Sequence, residues 1–201
     1  MTLEAGHLRI TSYTAAMQSE SSESVPARNI VLIGFMGSGK STVGRELGKL
    51  LGYPIVDTDH KIEEQEGLTI PEIFSTKGED YFRTTETKLI QSLCEEGISH
   101  HIIATGGGLP MREENRPLIR QLGYVVWLQA DVDTILNRTS RNSNRPLLQT
   151  DNPRKTIEEL LEKRNPVYEE VCHLRIRTSN LDIEETAHGI LESARYFFAQ
   201  S

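Results

Sequence analysis

The sequence predicts an α/β fold built on a parallel sheet buried on both faces, and three observations carry that expectation. From Asn29 onward, short apolar runs alternate with longer amphipathic stretches, the order that βαβ units impose. The runs are short and rich in β-branched residues, as strands covered on both sides require. Gly34-Phe35-Met36-Gly37-Ser38-Gly39-Lys40-Ser41 falls between the first run and the first amphipathic stretch and matches G-x-x-x-x-G-K-[ST] in full.

The elements justify themselves in order. Residues 1–28 are read as a disordered tail, because "MQSESSESVPAR" is rich in Ser and Glu and lacks a sustained apolar period. The first strand is expected over 29–34. Its glycine-rich sequel allows a tight turn and close backbone approach, so the N–H groups of Gly37, Ser38, Gly39, Lys40, Ser41 and Thr42 at the following helix start suit a nucleotide's phosphates. Lys40 adds a point charge near the β- and γ-phosphates, and Ser41 a hydroxyl for Mg²⁺.

After a helix over 40–51, the second strand, 54–59, ends in Asp57-Thr58-Asp59 at the sheet's carboxyl edge, where α/β folds bind ligands. Alternation along an extended chain predicts both carboxylates on one face, one holding a metal through water and the other facing a substrate hydroxyl. Asp59 equally suits the N-cap of a helix over 59–66. Further helices are expected over 71–76 and 79–96, and the second of these carries Arg83 and Glu86 three apart, within pairing range. Such a pair would fix a guanidinium as a carboxylate receptor needs, although alone it reads as a surface contact.

The third strand, 101–106, runs into Gly106-Gly107-Gly108, where missing side chains let backbone groups meet a ligand. A helix over 112–122, a strand over 124–129 and a helix over 131–139 follow. "TSRNSNRPLLQTD", with several turn formers and with Arg138, Arg141 and Arg145 close together, reads as a mobile loop, a lid over about 139–152. Pro153 and the spacing of Ile157, Leu160 and Leu161 predict a helix over 153–170. Arg145 and Arg164 each lie just before a proline, which limits local backbone freedom. A strand over 173–178 and a helix over 183–199 complete the chain.

A length of 201 residues suits one domain, here 29–201, with one active site. With 22 basic residues against 29 acidic ones, the net charge of −7 repels polyanions and excludes nucleic acid as the expected partner. Cys94 and Cys172 lack ligand spacing, which suits a reducing compartment. No apolar run approaches the roughly 20 residues of a membrane span, and no signal-peptide pattern opens the chain, so the expected location is the cytoplasm.

Together, and in this order, the G-x-x-G-x-G-K-S-T cradle, D-T-D, F-R-x-x-E, G-G-G, R-P-L-L and R-N-P-x-Y resemble the shikimate kinases over about residues 29 to 195. The resemblance implies a three-layer α/β/α P-loop kinase fold with a five-stranded parallel sheet, and transfer of the ATP γ-phosphoryl group to the 3-hydroxyl of shikimate with Mg²⁺ as cofactor. It implies that Asp59 binds the substrate hydroxyls and orients or deprotonates the attacking one, and that Asp57 joins Ser41 around Mg²⁺. Arg83 and Arg164 would clamp the substrate carboxylate, Glu86 would steady Arg83, and Gly106, Gly107 and Gly108 would meet the ring. Arg145 would close onto the phosphates, and Arg138 would stack on adenine. A monomer is expected. Another small-molecule kinase on this scaffold would explain the cradle and lid but not the conjunction of F-R-x-x-E, G-G-G and R-N-P-x-Y. A ligand-sensing module that had lost turnover would be expected to lack Lys40, Asp57 or Asp59, and all three are present.

Overall fold

The computed structural model describes residues 28–140, 148, 150–179 and 182–200. The expected tail up to Ala27 and most of the expected lid, Arg145 included, lie outside the described residues.

Five strands form one parallel sheet: β1 (Asn29–Ile33), β2 (Ile55–Asp57), β3 (Ile102–Ala104), β4 (Gly123–Gln129) and β5 (Leu174–Arg177), in the spatial order β2-β3-β1-β4-β5. The helices are α1 (Lys40–Leu51), α2 (Thr58–Glu66), α3 (Ile70–Lys77), α4 (Glu79–Glu95), α5 (Asn115–Leu122), α6 (Val132–Thr139), α7 (Pro153–Val171) and α8 (Ile183–Gln200). A short 3₁₀ turn, Leu109–Met111, follows β3.

Alternation along the central strands builds two cores. Val31 and Ile33 of β1, Ile103 of β3, and Val125 and Trp127 of β4 point to one face, against Ile90 and Leu93 of α4, Ile119 of α5 and Tyr168 of α7. Ile30, Leu32, Ile102, Val126 and Leu128 point to the other, against Val43 and Leu47 of α1 and Ala187 and Ile190 of α8. Each such aliphatic side chain contributes roughly 1.5–3 kcal/mol on burial. A smaller cluster of Phe35, Met36, Ala130, Ile135 and Ile157 seats the loop after β1 on α6 and α7.

Three strand ends are tied together by Asn29. Its buried Nδ2 donates to the Ile98 and Leu122 carbonyls at 2.7 Å each, and its Oδ1 accepts from the His101 N–H at 2.9 Å. A buried amide with its groups engaged this way fixes register rather than costing stability.

Three expectations need correction. Burial on both faces holds for β1, β3 and β4, whereas β2 and β5 are edge strands with partly exposed side chains, each paired on one side only. The strand expected over 54–59 stops at Asp57, because Thr58 and Asp59 already belong to α2, so strand alternation does not relate the two acids. The helix expected over 112–122 starts only at Asn115.

His173, just before β5, titrates against the fold. Its Nδ1 accepts from the Val125 N–H at 2.9 Å, and its ring stacks on Tyr124 and packs on Phe197. Burial, helped by the positive charge of Arg120, lowers its pKa below the usual 6.5. The unfolded chain therefore takes the proton first as the pH falls, so this group's stabilisation is complete above the unfolded pKa and is lost as pH drops through the folded one. Thermal melts at pH 7.5 and 5.5 are expected to show a smaller acid-induced loss in His173→Asn than in the parent chain; equal losses would rule His173 out as the acid-sensitive group.

Among the described residues no helix is long and apolar enough to cross a membrane.

Candidate active site

The loop after β1 needs glycine on geometric grounds. Gly37 and Gly39 adopt φ of 77° and 101°, in the left-handed region that side chains disfavour. Gly39 then starts α1 without a side-chain cap, so the positive end of that helix's dipole opens onto the loop and favours an anion. Lys40 Nζ donates to the carbonyls of Gly34 at 2.8 Å and Phe35 at 3.0 Å, which holds the ammonium over the loop.

Beside the loop lies a cavity of about 480 Å³, lined by Gly37 to Val43, Arg138, Thr178, Asp182, Ile183 and Thr186. That volume is in the range of small-molecule sites. Arg138 spans it, donating to the carbonyls of Gly37 at 3.2 Å and Thr178 at 3.3 Å. Thr178 Oγ1 donates to the Ser38 carbonyl at 3.0 Å and so ties the end of β5 to the loop. Thr178, Asp182, Ile183 and Thr186 escaped sequence reasoning, because the stretch from the end of "RIRTSN" onward carries no motif; only its place at a strand's carboxyl end marks it.

Ser41 Oγ donates to Asp57 Oδ2 at 2.7 Å. Asp57 Oδ1 accepts from the N–H groups of Asp59 at 3.2 Å and His60 at 3.5 Å, so Asp57 and not Asp59 caps α2. Asp59 sits in the first turn of that helix and turns towards the glycines after β3.

Two of those glycines are required by the side chains they face. A Cβ on Gly106 would lie 2.5 Å from both Asp59 Oδ1 and Glu86 Oε1, and one on Gly108 would run into the Arg83 guanidinium. Gly107 turns its carbonyl to α7, accepting from Tyr168 Oη at 2.5 Å and from Arg164 Nη1 at 3.5 Å. Gly106 N–H donates to Thr58 Oγ1 at 2.9 Å, which joins the end of β3 to the start of α2. Replacing Gly108 by Ala is expected to displace Arg83 and raise the substrate's KM roughly tenfold, given that a lost charge-assisted hydrogen bond costs about 1.5–3 kcal/mol; circular dichroism should still show an intact fold. A KM equal to that of the parent would mean Arg83 has room to spare.

Arg83 is held on both sides. Nη1 donates to Glu86 Oε2 at 2.7 Å, and Nε and Nη2 reach Glu79 Oε1 at 3.1 and 2.9 Å. The partners respond differently to this pairing. Arg83 has a raised pKa, as an ion pair dictates. Glu86 is also raised, to about 7, because burial outweighs the opposing pull of Arg83, with the charge of Asp59 adding to the rise. Arg164 is buried, with its guanidinium 5.4 Å from the Phe35 ring centre. Tyr168 is fully buried beside it, and burial pushes its hydroxyl to about 12, so it stays a neutral donor. Phe35 and Tyr168 were not singled out by sequence reasoning, although both lie inside matched segments: Phe35 at a variable cradle position, Tyr168 closing R-N-P-x-Y.

The structure thus gathers Lys40, Ser41, Asp57, Asp59, Arg83, Glu86, the three glycines, Arg138 and Arg164 along the carboxyl edge of β1, β2 and β3. Arg145 lies outside the described residues. Among the described residues no three His, Cys, Asp or Glu side chains cluster as metal ligands.

The family model for shikimate kinase matches residues 36–195. A shikimate kinase from Thioalkalivibrio sulfidiphilus is 46% identical over 170 residues, covering 84% of this chain and 86% of that protein. The solved structure of shikimate kinase from Acinetobacter baumannii in complex with shikimate is similar with a TM-score of 0.79 at 44% identity, covering 86% of this chain and 94% of the other. That of shikimate kinase from Aquifex aeolicus is similar with a TM-score of 0.70 at 34% identity, covering 86% and 99%.

Proposed function

Since the chain belongs to the shikimate kinase family, we propose that it transfers the γ-phosphoryl group of ATP to the 3-hydroxyl of shikimate, giving shikimate 3-phosphate and ADP for aromatic amino-acid synthesis. One observation carries the assignment of roles: Asp59, Glu86 and Arg83 converge on a glycine triplet that also anchors Arg164, next to the phosphate-binding loop. A monoanionic polyol acid needs that combination of guanidiniums for its carboxylate and a carboxylate for its hydroxyls.

In this reading the loop from Gly37 to Thr42 holds the phosphates, with Lys40 neutralising charge on the β- and γ-groups. Arg138 lies against the adenine end of the cavity. Arg83 and Arg164 grip the substrate carboxylate. Three of the five Arg83 N–H groups engage Glu79 and Glu86, which orients the fork and leaves two for the ligand. Gly106 to Gly108 border the ring, and Asp59 orients the attacking hydroxyl and accepts its proton. Positioning and charge neutralisation suffice for phosphoryl transfer, so no covalent enzyme intermediate is needed.

Ser41 and Asp57 present hard oxygen donors side by side, which fits Mg²⁺, an ion that binds few protein ligands and keeps several waters. When bound, the ion supplies neutralisation of phosphate charge. The role of Arg145 on the phosphates rests on the R-P-L-L match alone. The two cysteines without ligand spacing support a cytoplasmic location, and a monomer supplies every residue named here.

The test is ADP release from Mg·ATP with shikimate, gluconate or a nucleoside monophosphate as acceptor. Release dependent on shikimate alone is expected. Saturable shikimate binding without release would favour a sensing module, and release only with another acceptor would overturn the arginine clamp.

A further inference from the structure

Glu86 stands out among the site's acids. Its side chain is 1% exposed, Oε2 is engaged by Arg83, and Oε1 is buried without a hydrogen-bond partner. That oxygen and Asp59 Oδ1 lie at equal distance, 2.5 Å, from the point where a Gly106 Cβ would stand, so they face each other across the glycine at no more than twice that separation. Two carboxylate oxygens within that reach, one of them buried, repel each other as anions, and a proton on one of the pair relieves the repulsion.

The charges around Glu86 come from three helices. Arg83 is its neighbour on α4, Asp59 faces it from α2, and Arg164 and the Tyr168 hydroxyl face it from α7; Glu79 touches Arg83 from outside. Inside the site two guanidiniums offset two carboxylates, and Glu79 draws further on Arg83 from outside. A substrate carboxylate drawn onto those guanidiniums adds a third negative group where an uncompensated charge is costly.

We propose that Glu86 takes up one proton from solvent when the substrate carboxylate engages Arg83 and Arg164, and that the protonated Oε1 donates to Asp59 Oδ1, turning the other Asp59 oxygen to the acceptor hydroxyl. The step rests on the clamp described above. It balances simply: a buffer acid loses the proton, Glu86 passes from carboxylate to carboxylic acid, and the proton returns to solvent when product leaves. Oε2 remains an acceptor throughout, so the Arg83 contact persists. Glu86 is thereby a positioning residue that acts through Asp59. Its raised pKa of about 7 is consistent with this, since a half-protonated group is the most responsive to an added charge.

The experiment is titration calorimetry of the full chain with shikimate at pH 7, in phosphate and in Tris, whose ionisation enthalpies differ. A tenfold gain in proton affinity at Glu86 would appear as an uptake of about 0.4 proton per shikimate bound. Glu86→Gln keeps an acceptor for Arg83 but cannot take the proton, and its uptake is expected to fall close to zero. Uptake in that variant equal to the parent's, or none in the parent while shikimate binds, would overturn the proposal. Should Glu86→Gln fail to fold, the parent chain decides alone: uptake peaking between about pH 7 and 8 and falling below about 0.1 proton by pH 5 and pH 9 supports it, and uptake independent of pH overturns it. A parent chain that binds no shikimate at all would instead overturn the substrate assignment on which the proposal rests.

Discussion

Asp59→Asn is expected to lower kcat about 10²- to 10⁴-fold, the usual contribution of a positioned acid or base, while changing the affinity for an ATP analogue by no more than about twofold. Asparagine keeps the size and one acceptor oxygen, so packing against Gly106 survives and the loss reports charge alone. The cavity proposed for the nucleotide is lined by other residues, Gly37 to Val43 with Arg138, Thr178, Asp182, Ile183 and Thr186, which is why ATP binding should be spared. The capping bonds of α2 come from Asp57, so the start of that helix also stays closed. Losing a negative charge from the first turn costs roughly 0.3–1 kcal/mol, too little to unfold the chain. Turnover near that of the parent would remove Asp59 from the mechanism.

The second large effect falls on substrate binding. Arg83→Lys should raise the KM for shikimate roughly 10- to 100-fold with a smaller change in kcat, at about 1.4 kcal/mol per tenfold. The planar fork of Arg83 has five donors, enough for Glu79, Glu86 and the proposed substrate carboxylate together, whereas a lysine ammonium is a single point with three. The KM for ATP serves as the internal control and should hold. If the KM for shikimate held as well, Arg83 would not be part of the carboxylate clamp.

Much of the architecture is legible in the amino-acid sequence. Every strand and helix of the fold overlaps an expected segment, because period-two and period-3.6 hydrophobicity are local properties of the chain, and so are glycine and proline punctuation. The phosphate loop is legible for the same reason: all its parts lie within nine consecutive residues, Gly34 to Thr42. Where local reasoning fails, a neighbouring element decides. Asp57 and Asp59 read as two positions on one strand face, yet the chain turns helical at Thr58, and the Thr58 hydroxyl accepts from the Gly106 N–H just beyond β3.

The glycine triplet shows the same division more sharply. In sequence it marks only an absence of side chains. In space each glycine answers a different element: Gly106 admits Asp59 from α2 and Glu86 from α4, Gly107 meets Tyr168 and Arg164 from α7, and Gly108 makes room for Arg83. Those residues stand up to 61 positions away along the chain. The sequence by itself determined the elements, the phosphate loop and the family, all written in short-range spacing. Only the tertiary structure decided the strand order, the partners of each glycine and the burial of Glu86. Those depend on right-handed crossovers bringing separate strand ends to one edge of the sheet, and on a low-dielectric interior that no single segment creates.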